Sequence, residues 1–217
     1  MSVLLALLLA GCAGMKTEGA NFLLDVRVSG QSNNGAAREA GPDQVVVIPP
    51  NAQYPDAFPA KAYWGSSFRW TFRVGASGIG GELENRTGAS LCARFDRALV
   101  SSSHQPQPAP LMVSQVIHAK GKRYWLVQRP KAGEPAIFVA PKLCFTPGQS
   151  EWFSISPDAS ALFPSGKLFD VRFDGAPSGQ GKGNWLRLDI PIDFEDRTET
   201  FTITFTARDS KLTVSYH

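Results

Sequence analysis

His104, His118 and His217 are the residues from which acid–base or metal chemistry would have to be built in this chain of 217 residues. A triad hydrolase needs a nucleophile, a base within hydrogen-bond reach and a third group that orients the base. With His217 at the chain end, His104 and His118 are the two candidate bases, and no G-x-S-x-G elbow presents a serine to either. His118 closes the apolar run Val116-Ile117, as a hydrogen-bonded histidine at a strand end does. His104 lies in a Ser/Pro/Gln stretch, where a solvated side chain is expected. The histidines show no ligand spacing to one another and no C-x-x-C accompanies them, so the sequence offers no zinc site and implies no cofactor. Triads assemble from residues distant in sequence, so an envelope hydrolase is kept as the last of three readings.

Two glycine-rich stretches resemble phosphate-binding loops without meeting their chemistry. In Gly175-Ala-Pro-Ser-Gly-Gln-Gly-Lys-Gly183, Ala176 stands where a P-loop needs its first glycine, and Gly183 replaces the hydroxyl that ligates magnesium. A strand pattern follows it, whereas phosphate is held at a helix N-terminus. Gly75-Ala-Ser-Gly-Ile-Gly-Gly81 lies between two strand patterns and predicts a hairpin whose glycines supply positive φ. The carboxylates Asp189, Asp193, Glu195, Asp196 and Glu199 cluster late in the chain, and on a strand Asp193 and Glu195 would point the same way about 7 Å apart. Calcium takes such oxygens, but no Asx-rich loop of fixed spacing accompanies them, and a solvated strand face with negative charges is the expectation.

Positive charge is concentrated elsewhere. Between Arg97 and Gly133 there are six basic residues (Arg97, Lys120, Lys122, Arg123, Arg129 and Lys131) and no acid, with Tyr124 and Trp125 among them. A basic hairpin with Lys120-Gly121-Lys122 at its tip and Trp125 beside it could meet an anionic partner such as lipopolysaccharide phosphates, peptidoglycan carboxylates or an acidic protein patch. The alternative is a solubilising lysine tip over a core aromatic. A net charge of +3 is too small to imply nucleic acid.

The N-terminal run Met1-Ser-Val-Leu-Leu-Ala-Leu-Leu-Leu-Ala-Gly-Cys-Ala13 decides where this chemistry would operate. Crossing a bilayer takes roughly 20 apolar residues, far more than Val3–Ala10 supplies, and the leucine run lacks the β-branching and alternation of a strand. It has the length of a signal h-region, and small residues follow it. Leu9-Ala10-Gly11-Cys12 resembles the lipobox of bacterial lipoproteins at all four positions. The resemblance implies cleavage before Cys12, a diacylglycerol thioether on its sulfur and acylation of the new amino group. Acyl chains contribute about 0.8 kcal/mol per buried CH₂, and two suffice for a stable anchor. With Ala13 where an aspartate tends to retain such proteins at the inner membrane, the implied address is the outer membrane, the body facing the periplasm. Committing Cys12 to lipid leaves Cys92 and Cys144 as an even pair in a compartment that permits disulfides. Their bridge would contribute roughly 4 kcal/mol in the chain-entropy model; two separately buried thiols are the alternative.

These residues must be positioned by strands. No stretch holds a helical apolar period, and 20 glycines and 16 prolines punctuate the chain. Leu186, Leu188, Ile190, Ile192 and Phe194 alternate with Arg187, Asp189, Asp193 and Glu195, with Pro191 predicting an edge or a bulge. Phe201, Ile203, Phe205 and Ala207 alternate with threonines, and Asp209-Ser-Lys211 then predicts a hairpin turn into Leu212, Val214 and Tyr216. Further strands are expected at 22–28, 45–48, 68–74, 81–84, 91–95, 111–117, 124–128, 137–139, 152–155 and 169–173. The expected fold is all-β, an immunoglobulin-like β-sandwich with a β-barrel as the alternative. Residues 1–11 read as the signal peptide, 12–21 as a lipid-anchored tether reaching up to about 30 Å, and 22–217 as one β domain with mobile Pro/Gly-rich loops near 29–44, 49–62 and 101–110. A non-catalytic outer-membrane lipoprotein serving as an interaction or assembly module is the first expectation. A binding module for an apolar or anionic envelope molecule, built as a barrel around a phenylalanine-lined cavity, is the second.

Overall fold

Two-residue periodicity produces the strands it predicts. Along Trp185–Asp193, Leu186, Leu188, Ile190 and Ile192 are fully buried, and Arg187 between them is exposed. The computed structural model describes residues 16–32, 38–39, 45–49, 59–111, 113–115, 117–119, 122–124, 127–128, 137–138, 142–171 and 181–216. In chain order the strands are β1 (Lys16–Ser32), β2 (Arg38–Glu39), β3 (Val45–Ile48), β4 (Ala60–Trp64), β5 (Phe68–Gly75), β6 (Gly78–Asn85), β7 (Leu91–Arg94), β8 (Leu99–Ser102), β9 (Ala109–Pro110), β10 (Val113–Gln115), β11 (Ile117–Ala119), β12 (Lys122–Tyr124), β13 (Val127–Gln128), β14 (Ile137–Phe138), β15 (Lys142–Phe145), β16 (Ser150–Pro157), β17 (Trp185–Asp193) and β18 (Thr198–Tyr216). The one described α-helix, α1 (Ala159–Leu162), is a single turn capped by the Asp158 carboxylate, which accepts from the Ser160 N–H.

All pairings are antiparallel, and the main sheet has two halves. One runs β15-β7-β17-β18-β1, with β8 beside β17 beyond the end of β7; the other runs β10-β16-β6-β5-β4-β3. They join where Asn21 of β1 pairs with Gly75 of β5, and a Cβ on Gly75 would press on the Ala20 carbonyl at 3.1 Å. The halves then face each other through rings: Phe68 lies 4.4 Å from Phe201, Phe72 5.1 Å from Phe205, and Trp70 6.5 Å from Phe95, which follows β7. The sheet is not closed, so the fold is an all-β sandwich and the barrel alternative is overturned. The phenylalanines expected to line a cavity fill the interior instead, each contributing roughly 1.5–3 kcal/mol by burial.

Several boundaries differ from the sequence reading for physical reasons. The turn expected at Asp209-Ser-Lys211 is a β-bulge within one continuous strand. Asp209 pairs with Leu23 and Ala207 with Leu24, leaving Arg208 as the extra residue. The extra residue flips the alternation, so Ala207 and Ser210 are both buried while Arg208 and Asp209 are exposed. In sequence this phase slip looks like a turn. The partner strand is equally long: Lys16 pairs with Tyr216 and Ser32 with Glu199, so strand structure occupies most of the expected tether and the start of the loop placed at 29–44. Ala60–Ala62 of the 49–62 loop belong to β4. At 101–110, Ser101 and Ser102 are buried in β8 and Ala109–Pro110 pairs back onto it, leaving 103–108 as the irregular part.

Pro191 is at neither an edge nor a bulge. It pairs with Thr200 on one side, while on the other β8 ends at Asp189 and β7 begins at Ile192, so its missing donor falls in the gap between two neighbours. The strand expected at 169–173 begins instead as a 3₁₀ turn, Leu168–Asp170, in which Phe169 and Asp170 have φ of 58° and 59°. The Phe169 carbonyl accepts from Asn184 Nδ2 at 2.9 Å, and Leu168 N–H donates to the Ala76 carbonyl at 2.9 Å. Fixed this way, the buried Phe169 ring packs tilted against Phe22, centroids 4.7 Å apart, within the core. The Gly75–Gly78 hairpin forms, but neither glycine has positive φ. A Cβ on Gly78 would sit 2.9 Å from the Ile155 carbonyl, so close approach explains that residue.

Candidate interaction surfaces

Cys92 on β7 and Cys144 on β15 are direct register partners, and their sulfurs are bonded. The bridge lies within one half of the sheet. Leu91, Ala93, Leu143 and Phe145 point into the core, so the alternate positions put the disulfide on the outer face: Cys144 is exposed and Cys92 half-buried. The alternative of separately buried thiols is thereby overturned.

The next register pair on that face is Arg94 with Lys142. Arg94 bonds Asp96 at 2.6 Å and Asp193 at 2.9 Å, and Lys142 lies 3.7 Å from Asp193. The Arg94 hydrogen bond holds the Asp96 carboxyl below the ordinary aspartate range against a smaller opposing effect of burial. Burial pulls Asp193 upward, but hydrogen bonds from Arg94 and Thr198, with the charges of Arg94 and Lys142, carry it below its usual value. β17 ends at Asp193, and Glu195 lies inside the hairpin turn closed by Phe194 N–H on the Arg197 carbonyl, so it does not share a strand face with Asp193. Asp189 is bonded by Arg187 and Thr202, and Asp196 and Glu199 by Arg197. Four of the five carboxylates in the cluster, Asp189, Asp193, Asp196 and Glu199, are thus held in ion pairs.

Of the two candidate bases, His104 is the one whose side chain is described. His104 is exposed, its ring 5.8 Å from Phe163. The nearby Ser102 hydroxyl is buried and committed: it donates to the Leu162 carbonyl at 2.6 Å and accepts from the N–H groups of His104 and Gln105. His118 lies on β11, opposite Arg123 of β12. Gly181 and Gly183, at the end of the P-loop-like stretch, have φ of 72° and 85° and turn the chain into β17, a strand; residues 172–180 lie outside the described residues. A Cβ on Gly181 would collide with the Phe169 carbonyl oxygen.

Of the expected anionic-partner residues, Lys122 and Arg123 are placed on β12, in register with Ala119 and His118; Lys120, Trp125, Arg129 and Lys131 lie outside the described residues, as does Cys12. The β11–β12 hairpin runs beside β16 at the edge of the second half-sheet. On β16 the structure adds a residue that the sequence reading passed over as part of a strand. Phe153 and Ile155 take the inner face, which turns Trp152 outward, 56% exposed, against the flank of Gly80 and opposite Glu82. Among the described residues the other exposed indole, Trp64, is already covered by guanidinium groups, Arg69 at 4.9 Å and Arg86 at 5.6 Å. Beside the bulge, a surface depression of about 430 Å³ is bordered by Asp25, Lys182, Arg208 and Asp209.

Fold and surface together define an all-β sandwich with an outward-facing intrasheet disulfide. Comparison with protein-family models, curated proteins and solved structures finds no match. Among the described residues, no helix is long and apolar enough to cross a membrane, and no group of three or more His, Cys, Asp or Glu is placed to hold a metal ion.

Proposed function

We propose that this protein is a non-catalytic lipoprotein of the bacterial outer membrane, anchored through acyl chains on Cys12, whose sandwich acts as an interaction or assembly module on the periplasmic side. The observation that carries the reading is Leu9-Ala10-Gly11-Cys12 only four residues ahead of β1, which starts at Lys16. Four residues span at most about 14 Å, so lipid on Cys12 would hold the end of the β1–β18 ribbon close to the bilayer. The committed Ser102 hydroxyl and the ring-filled interior favour a binding surface over a hydrolase or a barrel-type ligand carrier.

The partner-facing surface in this reading is the edge beside β16, where Trp152 is exposed and β12 carries Lys122 and Arg123. An exposed tryptophan on a strand that adjoins a hairpin carrying Lys122 and Arg123 suits an anionic envelope component, such as lipopolysaccharide phosphates or peptidoglycan carboxylates. The deciding experiment is the intact mass of the protein extracted from membranes of its native host. The expected mass is that of a chain starting at Cys12 with two or three acyl groups. A chain that retains Met1 and carries no lipid overturns the anchor and, with it, the assigned location.

A further inference from the structure

The disulfide stands where a purely structural bridge is least protected. Stabilising disulfides in exported proteins resist reduction, whereas exposed ones are the labile and reactive class. Cys144 is exposed on β15, which among the described residues has β7 as its only strand neighbour. The sulfurs face outward, with exposed Ser90 and Thr146 on one side along the strands and Arg94 and Lys142 on the other. On the second side the Lys142 ammonium, its side chain 47% exposed, lies 3.7 Å from Asp193, the register partner of Cys92, and with Arg94 it offsets that carboxylate's charge toward an incoming anion.

We propose that Cys92–Cys144 is a thiol–disulfide exchange site whose substrate is an external dithiol. The attacking thiolate bonds to Cys144 Sγ, the more accessible sulfur. The Sγ–Sγ bond breaks, and Cys92 leaves as a thiolate and takes up a proton. The second thiol of the reductant then attacks the mixed disulfide, releasing Cys144 as a thiolate and itself becoming a disulfide. Two electrons pass from the dithiol to the cystine. Reversal oxidises a partner dithiol by the same steps. The β7–β15 ladder and the inward Leu91, Ala93, Leu143 and Phe145 hold the two cysteines opposite each other in the reduced form, so the exchange proceeds within the folded sandwich.

The test is the reduction rate of the full-length folded protein by dithiothreitol, read by alkylation and mass, with Cys12 peptides scored separately. Direct attack on the native bridge gives a rate proportional to dithiothreitol concentration, unchanged by sub-denaturing urea, with the far-ultraviolet β signal retained. A rate that saturates at an unfolding step and accelerates with urea overturns the proposal. Reduced glutathione in place of dithiothreitol, with rapid acid trapping of the mixed disulfide, locates the attacked sulfur: the adduct is expected on Cys144, and a predominant Cys92 adduct overturns the assigned direction. Lys142→Glu, a change at an exposed position, should slow attack by roughly three- to tenfold at low salt and less at high salt. An unchanged rate removes Lys142 from the site.

Discussion

Asn85→Ala is the substitution whose cost can be worked most fully from this structure. Asn85 is fully buried at the end of β6, and its amide serves two loops. Its Nδ2 donates to the Ala89 carbonyl at 2.7 Å and to the Phe145 carbonyl at 3.0 Å. Its Oδ1 accepts from the Thr87 N–H at 2.9 Å and the Thr87 hydroxyl at 2.8 Å. Each bond contributes about 1 kcal/mol net, and a buried group left unpaired costs about 1–3 kcal/mol. The Ala89 carbonyl keeps the Thr87 hydroxyl as a donor at 2.7 Å, which offsets part of the loss. The expected destabilisation is therefore about 3 kcal/mol, a fall in Tm of roughly 6–12 °C for a domain of this size. Urea unfolding followed by tryptophan fluorescence measures it as a lower midpoint at unchanged m-value. Thr87→Val alone should cost about 1–2 kcal/mol, and the double variant should cost less than the sum, because the bond from the Thr87 hydroxyl to Asn85 Oδ1 is lost in both single variants. A cost below about 1 kcal/mol for Asn85→Ala, or strict additivity, would refute the reasoning.

Gly181→Ala combines positive φ with a collision against the Phe169 carbonyl, and should cost about 3 kcal/mol or more in the same unfolding assay. Acid should destabilise the fold through Asp96 and Asp193: both folded-state pKa values lie below the unfolded one, so the stability they confer is present above about pH 4 and lost as pH falls through the folded values. Arg94→Met removes the partner of both, and the variant's stability should vary less over that acid range. Trp152→Ala should leave stability within about 0.5 kcal/mol while weakening binding to vesicles containing lipopolysaccharide. Reversing Lys122 and Arg123 to glutamate should weaken that binding further and reduce its salt dependence. Equal binding by all these variants would remove the β12–β16 edge from the proposed surface.

Alternation made the long strands legible: β3 has the expected bounds, β17 the expected faces, and β5 and β6 differ from expectation only at their ends. Where the reading failed, one physical cause recurs, namely a local signal with two structural solutions. A phase slip from Ala207 to Leu212 is satisfied by a turn or by one extra residue, and the choice depended on a partner strand long enough to continue the ladder from Asn21 to Lys16. Serines and prolines at 101–110 have low strand propensity, yet Ser102 is in a strand because its backbone pairs with Leu186 and its hydroxyl is satisfied by Leu162. Phe169-Asp-Val171 has the composition of a strand and becomes a left-handed turn, because Asn184 and a glycine 12 positions away make room for its carbonyl.

The surface was legible in the same uneven way. Parity of the cysteines pointed to the bridge, but its position on the outer face follows from phase: Leu91, Ala93, Leu143 and Phe145 are the inward residues, so the cysteines between them must point out. The same rule, applied to an inward Phe153 and Ile155, turns Trp152 outward. Apolar composition marks both cysteine and tryptophan as core residues, and alternation within a strand overrides it. The accessible disulfide and the exposed Trp152 are hydrophobic residue types in polar phase, and unlike the exposed aliphatics Val47 and Leu99 they carry groups that can react or stack. Function on this fold is therefore to be sought on its outer faces, where a residue departs from the pattern that built the sheet.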